Sequence, residues 1–366
     1  LRSVGVEEEL LLVDPRSGQP RAVSEEVLAT AARRYEGREH AFTKELQGQQ
    51  LEFGTLPRTS MAELAAEIER CRADAADLAA EVGVAVAALA TSPLPVDPAV
   101  TEGRRYRWIR ENYAVTALEQ LTSGCHVHVS VTSDEEGVAV LDRMRPWLSV
   151  LLALSANSPF WQGGDSGYHS YRSRVWGRWP STGPVEAFGS AERYHRRVRE
   201  LVATGVLQDE GMIYYDARLS RHYPTVEIRT ADVCLDASTT VLVATLARAL
   251  VDTAARQWRE GTPPDEHGIG LLRAAAWRAA RSGLDDELLH PHTMRPAPAE
   301  RVVRALFLHV EAALDENGDL ALARKALDDL LSDGNGAQVQ RRLLRRYGSL
   351  PEVVAECVRR TQEGVR

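Results

Sequence analysis

Ser123-Gly124-Cys125-His126-Val127-His128-Val129-Ser130-Val131 alternates without a break. Successive side chains of an extended strand point to opposite faces, so His126, His128 and Ser130 share one face and Val127, Val129 and Val131 the other. Valine at every second position predicts a strand with one face packed on a core. Cys125 falls in line with the valines and reads as a small packed side chain, not a nucleophile. The opposite face carries two imidazoles and a hydroxyl, with neighbours about 6.5 Å apart. That spacing suits a metal, a phosphate or an anionic substrate lying across a sheet. The plainer reading is a solvent-exposed strand face that carries histidines.

Three other segments have the same two-faced character. Val4–Val13 reads as a strand closed by the turn Asp14-Pro15-Arg16-Ser17-Gly18, with Glu7 and Glu9 on one face and Val4, Val6, Leu10 and Leu12 on the other. Adjacent carboxylates repel, and a divalent cation between them would remove that cost; a solvated edge strand is the alternative. Phe42–Phe53 reads as extended, with Glu45 and Glu52 seven residues apart. In a regular strand they face opposite ways; a bulge at Gly48 would bring them to one face. In Thr225–Thr230, Thr225, Glu227 and Arg229 share a face opposite Val226 and Ile228. Glu227 and Arg229 read either as a cross-strand ion pair or as a metal ligand beside a guanidinium clamp for a carboxylate. Glutamate oxygens with an occasional histidine favour Mg²⁺ or Mn²⁺ over zinc, and so many carboxylates exceed what one ion needs. Several ions beside an arginine point to phosphoryl transfer.

The rest of the chain frames these segments. Ser60-Met61-Ala62-Glu63 is a capping box opening a helix to about Glu81, and Val82–Ala90 reads as a buried strand. Val138–Ala156 is an apolar helix broken near Pro146, and Ala191–Ala203 is another helix. Residues 158–184 form a long Gly/Ser/Trp/Arg loop, a candidate cover for a substrate, with Arg172, Arg174 and Arg178 supplying positive charge. Met212–Asp216 and Thr225–Thr230 read as a strand pair, and helices follow from Asp236. Strands therefore cluster in residues 1–235 and helices in 236–366, which is α+β with an antiparallel or mixed sheet. No GxGxxG or GxxxxGK[ST] occurs, so neither a dinucleotide fingerprint nor a P-loop is present.

The 366 residues are 44% hydrophobic and 26% charged, as in ordinary globular proteins, with a formal net charge of -8 that argues against a nucleic-acid partner. No 18-residue apolar run or signal-peptide pattern is seen, so no membrane association is expected. Four scattered cysteines without a CxxC fit a reducing cytoplasm.

Taken in order, GxExE in the first strand, the Glu45–Glu52 pair, SGCHVHVS and TVEIR resemble the YbdK-type carboxylate–amine ligases. These belong to the type 2 glutamate–cysteine ligase family, related in fold to glutamine synthetase. The likeness runs from about residue 3 to about residue 360, and Ser158–Trp161 and Tyr171–Trp176 share it. It implies a single catalytic domain of the glutamine synthetase/guanido kinase-like kind, an antiparallel β-sheet funnel backed by helices with a helical C-terminal part suited to support a homodimer. It also implies small-molecule substrates: ATP phosphorylates a carboxylate, expected to be the side chain of glutamate, and cysteine or another amine attacks the acyl phosphate, releasing phosphate. By the same resemblance Glu7, Glu9, Glu45, Glu52 and Glu227 hold Mg²⁺ or Mn²⁺, with His126 as a further ligand. His128 faces the transferring phosphate or the substrate, and Arg229 clamps the carboxylate or γ-phosphate. Ser130 lies towards the nucleotide, and the loop arginines Arg172 and Arg174 are its expected contacts. A metal-dependent hydrolase and a non-catalytic nucleotide- or metal-binding protein are the alternatives on the same fold.

Overall fold

β1 (Val4–Val13) is the strand around which the main sheet forms. In the computed structural model, which describes residues 1–36 and 41–363, it is followed by β2 (Phe42–Lys44), β3 (Gln50–Gly54), β4 (Ala85–Ala87) and β5 (Gly124–Ser130). A small separate hairpin, β6 (Phe160–Trp161) with β7 (Gly164–Asp165), precedes β8 (Ala217–Leu219) and β9 (Thr225–Asp232). The main sheet has seven strands in the order β2-β3-β1-β5-β9-β8, with β4 also paired to β1, and every pairing is antiparallel. β3 occupies one side of β1, while β5 and then β4 share the other, so Leu11 faces Gln50 on one side and Ala87 on the other.

One face of this sheet is the core. Val4, Val6, Leu10 and Leu12 of β1 and Cys125, Val127 and Val129 of β5 are buried there, as the alternation predicts. Helices Met61–Glu81 and Ala237–Arg259 complete the same cluster, so the strand-rich and helical parts of the chain share a core. The helix Met61–Glu81 buries Leu64, Ile68, Cys71, Ala75 and Leu78, a stripe at helical spacing, and Ser60 Oγ accepts the Glu63 N–H at 3.3 Å to cap its start. Glu8 also points into this core. Its carboxylate takes Arg72 Nε and Nη2 at 2.8 Å each, and Arg72 also donates to the carbonyls of Cys234 (2.7 Å) and Leu235 (2.9 Å).

The path differs from the sequence expectation in several places. Phe42–Phe53 is not one bulged strand: β2 and β3 form a hairpin around residues 45–49. The partner of β9 is β8, just beyond the expected Met212–Asp216, because the connection Ser220–Pro224 contains none of the glycine or asparagine that marks a tight turn. Only Ala85–Ala87 of Val82–Ala90 is strand, and the Pro146 break divides Asp134–Met144 from Leu148–Ser155 as expected. The helices Ser24–Arg34 and Arg104–Tyr113 had no sequence expectation. No helix among the described residues is long and apolar enough to cross a membrane.

Candidate active site

The second face of the sheet is polar across five strands. Strand register sets Glu52 of β3 opposite Glu9 of β1, Glu7 of β1 opposite His126 of β5, His128 opposite Glu227 of β9, and Glu227 opposite Arg218 of β8. Glu45, two residues after Thr43, which pairs with Glu52, joins them from the end of β2. The hairpin, not a bulge at Gly48, therefore brings Glu45 and Glu52 together. These residues line a cleft of about 300 Å³ together with Tyr106, Trp176, Trp179 and Tyr214.

Two triads offer ligand atoms within 4.8 Å of one another: Glu9–Glu45–Glu52 and Glu7–His126–Glu227. Their electrostatics differ. Burial pushes the Glu9 carboxyl up to about 7, and the Glu45 charge adds to this against the pull of Arg172. Burial also holds Glu52 well above the carboxylate range, helped by a hydrogen bond with Glu45 and the charges around it. Three carboxylates crowd here with too little positive charge, and their hard oxygens fit a divalent cation.

The second triad is already balanced. Burial opposes ionisation of Glu7, but hydrogen bonds from the His126 and His128 rings outweigh it and hold the carboxyl far below its usual range. His126 Nδ1 is 3.2 Å and His128 Nε2 3.3 Å from the Glu7 oxygens. Glu227 is likewise depressed despite burial, by Arg229 and then Arg218, whose Nε donates at 2.7 Å. Burial and then the Arg229 charge lower His126 to about 4, leaving a neutral imidazole with the lone pair a metal needs. A cation at this triad would share Glu227 with two guanidinium groups, so the all-carboxylate triad fits an ion better.

Arg229 owes its position to a bulge. Between Ile228, which pairs with Val127, and Ala231, which pairs with Cys125, two residues of β9 oppose one of β5. Arg229 contacts Glu227, and its guanidinium lies 5.9 Å from the centroids of both Trp176 and Tyr214. His128 Nδ1 sits 3.0 Å from Thr225 Oγ1. Arg172 is buried in the wall of the cleft and donates to the carbonyls of Arg229 and Thr230 at 3.4 Å each. Gly124 makes room for it: a Cβ there would lie 2.4 Å from Arg172 Nη2. The Gly124 N–H donates to Glu9 at 2.6 Å, so one glycine positions both groups.

Two expected contacts lie elsewhere. Ser130 is not in the cleft lining, and its Oγ accepts the Ser3 N–H at 3.0 Å. Arg174 is also absent from this cleft and lines a neighbouring cavity, because Arg172–Trp176 is a short helix on which residues two apart diverge. Sequence reading missed Arg218, Arg105 and Tyr214 in the cleft. Arg218 had a signal, since it is the cation across from Glu227 once β8 is placed correctly.

Comparison with known proteins agrees with this picture. The family model described as glutamate–cysteine ligase family 2 matches residues 3–363. A Streptomyces avermitilis protein named for glutamate–cysteine ligase 2-1 is 64% identical over 99% of this chain and 100% of its own length. A Streptomyces coelicolor protein named for glutamate–cysteine ligase 2 is 65% identical over 99% of each. Among solved structures, glutamate–cysteine ligase from Francisella tularensis in complex with AMP superposes with a TM-score of 0.70 at 14% identity, covering 99% of this chain and 88% of that one. A bifunctional glutathione synthetase from Pasteurella multocida gives a TM-score of 0.68 at 16% identity, over 99% of this chain and 52% of that one. Both show the same fold.

Proposed function

This chain belongs to the glutamate–cysteine ligase family 2, as an ATP-dependent carboxylate–amine ligase, and we propose that it phosphorylates the side-chain carboxylate of glutamate and couples it to cysteine or another amine. The observation that carries this reading is the meeting of the Glu9–Glu45–Glu52 triad with Arg229 and Arg172 in one cleft. A triphosphate and a carboxylate repel each other, so their reaction needs fixed positive charge and excluded water. Mg²⁺ or Mn²⁺ bound by the glutamates would screen that repulsion and neutralise phosphate oxygens. Arg229, held by Glu227 and by two aromatic rings, is set to pair with the carboxylate or the γ-phosphoryl group. His128, fixed between Glu7 and Thr225, is set to hydrogen-bond the group in transfer. Trp176, Trp179 and Tyr214 give the cleft an aromatic lining that would help exclude water from a bound substrate, as protection of an acyl phosphate from hydrolysis requires. The four cysteines are buried and unpaired, which supports action in a reducing cytoplasm.

The test is incubation with ATP, Mg²⁺, glutamate and a panel of amines, followed by product mass and ADP release. The expected result is an amide of the glutamate side chain with one ADP per product. ADP release that is the same with and without an amine, with no adduct, would contradict it.

Cation binding is expected to depend on pH. Without an ion, the Glu9 carboxyl keeps its proton up to about 7, and Glu52 holds one too. An ion entering below that pH must displace protons from both, and above it no longer one from Glu9. Glu7 and Glu227 are ionised and His126 neutral throughout pH 5–8, so they do not reverse the sign. The rise in Tm on adding Mg²⁺ or Mn²⁺ is expected to grow from pH 5 to pH 8, with release of about two protons per ion near pH 6. A flat increment across that range would remove Glu9 and Glu52 from the ion site.

A further inference from the structure

A second cavity, of about 290 Å³, adjoins the cleft and shares Arg172, Trp176 and Arg229 with it as lining. Its own charged groups are Arg174, Asp216 and Arg273. Among the described residues none of these three side chains has a hydrogen bond or an ion pair, although Arg174 and Arg273 both act on Asp216 through their charge; Arg273 stands at the exposed mouth of the cavity. Five buried polar atoms of its lining residues have no partner: Arg172 Nε, Arg174 Nε, Tyr215 Oη, Arg229 Nε and Thr230 Oγ1. Leaving a buried donor or charge unmatched costs free energy, so such a concentration at one cavity marks a place completed by a ligand. A carboxylate between arginines that it does not touch fits a molecule carrying both charges.

We propose that this cavity binds the α-ammonium and α-carboxylate groups of the acidic amino acid whose side-chain carboxylate enters the cleft. Asp216 receives the ammonium, and Arg174 and Arg273 receive the α-carboxylate. The volume suits a ligand at the small end of the usual range. Fixing the head group in this cavity directs the other carboxylate past Arg172 and Arg229 towards the glutamate cluster, so the side-chain carboxylate is activated and the α-carboxylate is not. Burial raises the Asp216 carboxyl to about 6 against the pull of Arg174, and an ammonium beside it would favour the charged form. The assignment rests on the ligase reading and adds the substrate's binding mode.

Calorimetry on the nucleotide-free chain tests it with three probes: L-glutamate, glutarate, which lacks the ammonium, and 4-aminobutyrate, which lacks the α-carboxylate. The native chain is expected to prefer L-glutamate to each analogue by about tenfold or more, as loss of a charged hydrogen bond predicts. Asp216→Asn is expected to erase the preference over glutarate, and Arg174→Gln the preference over 4-aminobutyrate. Both variants are expected to keep native affinity for ATP, which shows that they fold. Equal binding of the three probes by the native chain, or unchanged preferences in folded variants, overturns the proposal. Adduct formation by the native chain, followed separately, reports on the ligase reading, so failure of one is distinguishable from failure of the other.

Discussion

Glu52→Gln is expected to lower ADP release about 10²–10³-fold while making the ion-free chain more stable, not less. Glu52 lies opposite Glu9 across β1 and β3 and is hydrogen-bonded to Glu45, so three carboxylates crowd without a matching cation. Glutamine keeps the shape and can still donate to Glu45, and unlike Glu52 it does not have to take up a proton when the chain folds around it. The ion-free Tm is expected to rise by on the order of 2 °C. The increment produced by Mg²⁺ is expected to shrink. A residue needed only for folding would move activity and ion-free stability in the same direction. Opposite movement is the mark of a group kept under electrostatic stress for binding. If Glu52→Gln retains more than a third of native turnover, the all-carboxylate triad is not the working ion site.

The largest expected stability effect lies beneath the same strand. Arg72→Met leaves the Glu8 carboxylate in the core with only Thr240 Oγ1 as a partner, at 2.6 Å. Removing one member of a buried ion pair costs about 3–5 kcal/mol, because the remaining charge cannot return to water. Chemical denaturation read by circular dichroism checks this. Adding Glu8→Leu is expected to recover only part of the loss. Arg72 also donates to the Cys234 and Leu235 carbonyls before the helix Ala237–Arg259, and a methionine leaves those bonds unmade. A cost below about 1 kcal/mol for Arg72→Met would show that the pair does not anchor β1.

Much of the site was legible because it is written in a two-residue period. Val127 and Val129 had to be buried, and this put His126 and His128 on the face that carries Glu7 and Glu9. The same parity places Glu8 with Val6 and Leu10, a signal for a buried, paired carboxylate. Its partner Arg72 lies 64 residues away on a helix, a distance that local pattern does not bridge. Glu45 and Glu52 were grouped correctly by a wrong path. The chain reverses at a local turn closed by the Gln50 N–H on the Gln47 carbonyl at 3.0 Å, with Gly48 inside it, and the Gly48 N–H to Ala99 and Ser24 N–H to Gly48 bonds that fix this turn lie far off in sequence. Arg172 and Arg174 read alike in a loop. The short helix Arg172–Trp176 divides them between two cavities, and local sequence did not announce that helix.

We propose that a carboxylate is phosphorylated in the cleft formed by β1, β3, β5 and β9. It is tested most directly with glutamate labelled with ¹⁸O in its side-chain carboxylate, ATP, Mg²⁺ and the best amine. Transfer of one labelled oxygen per turnover into inorganic phosphate is the predicted result, because that oxygen bridges carbon and phosphorus in the acyl phosphate. Phosphate released without label, at any rate of ATP consumption, would contradict the account.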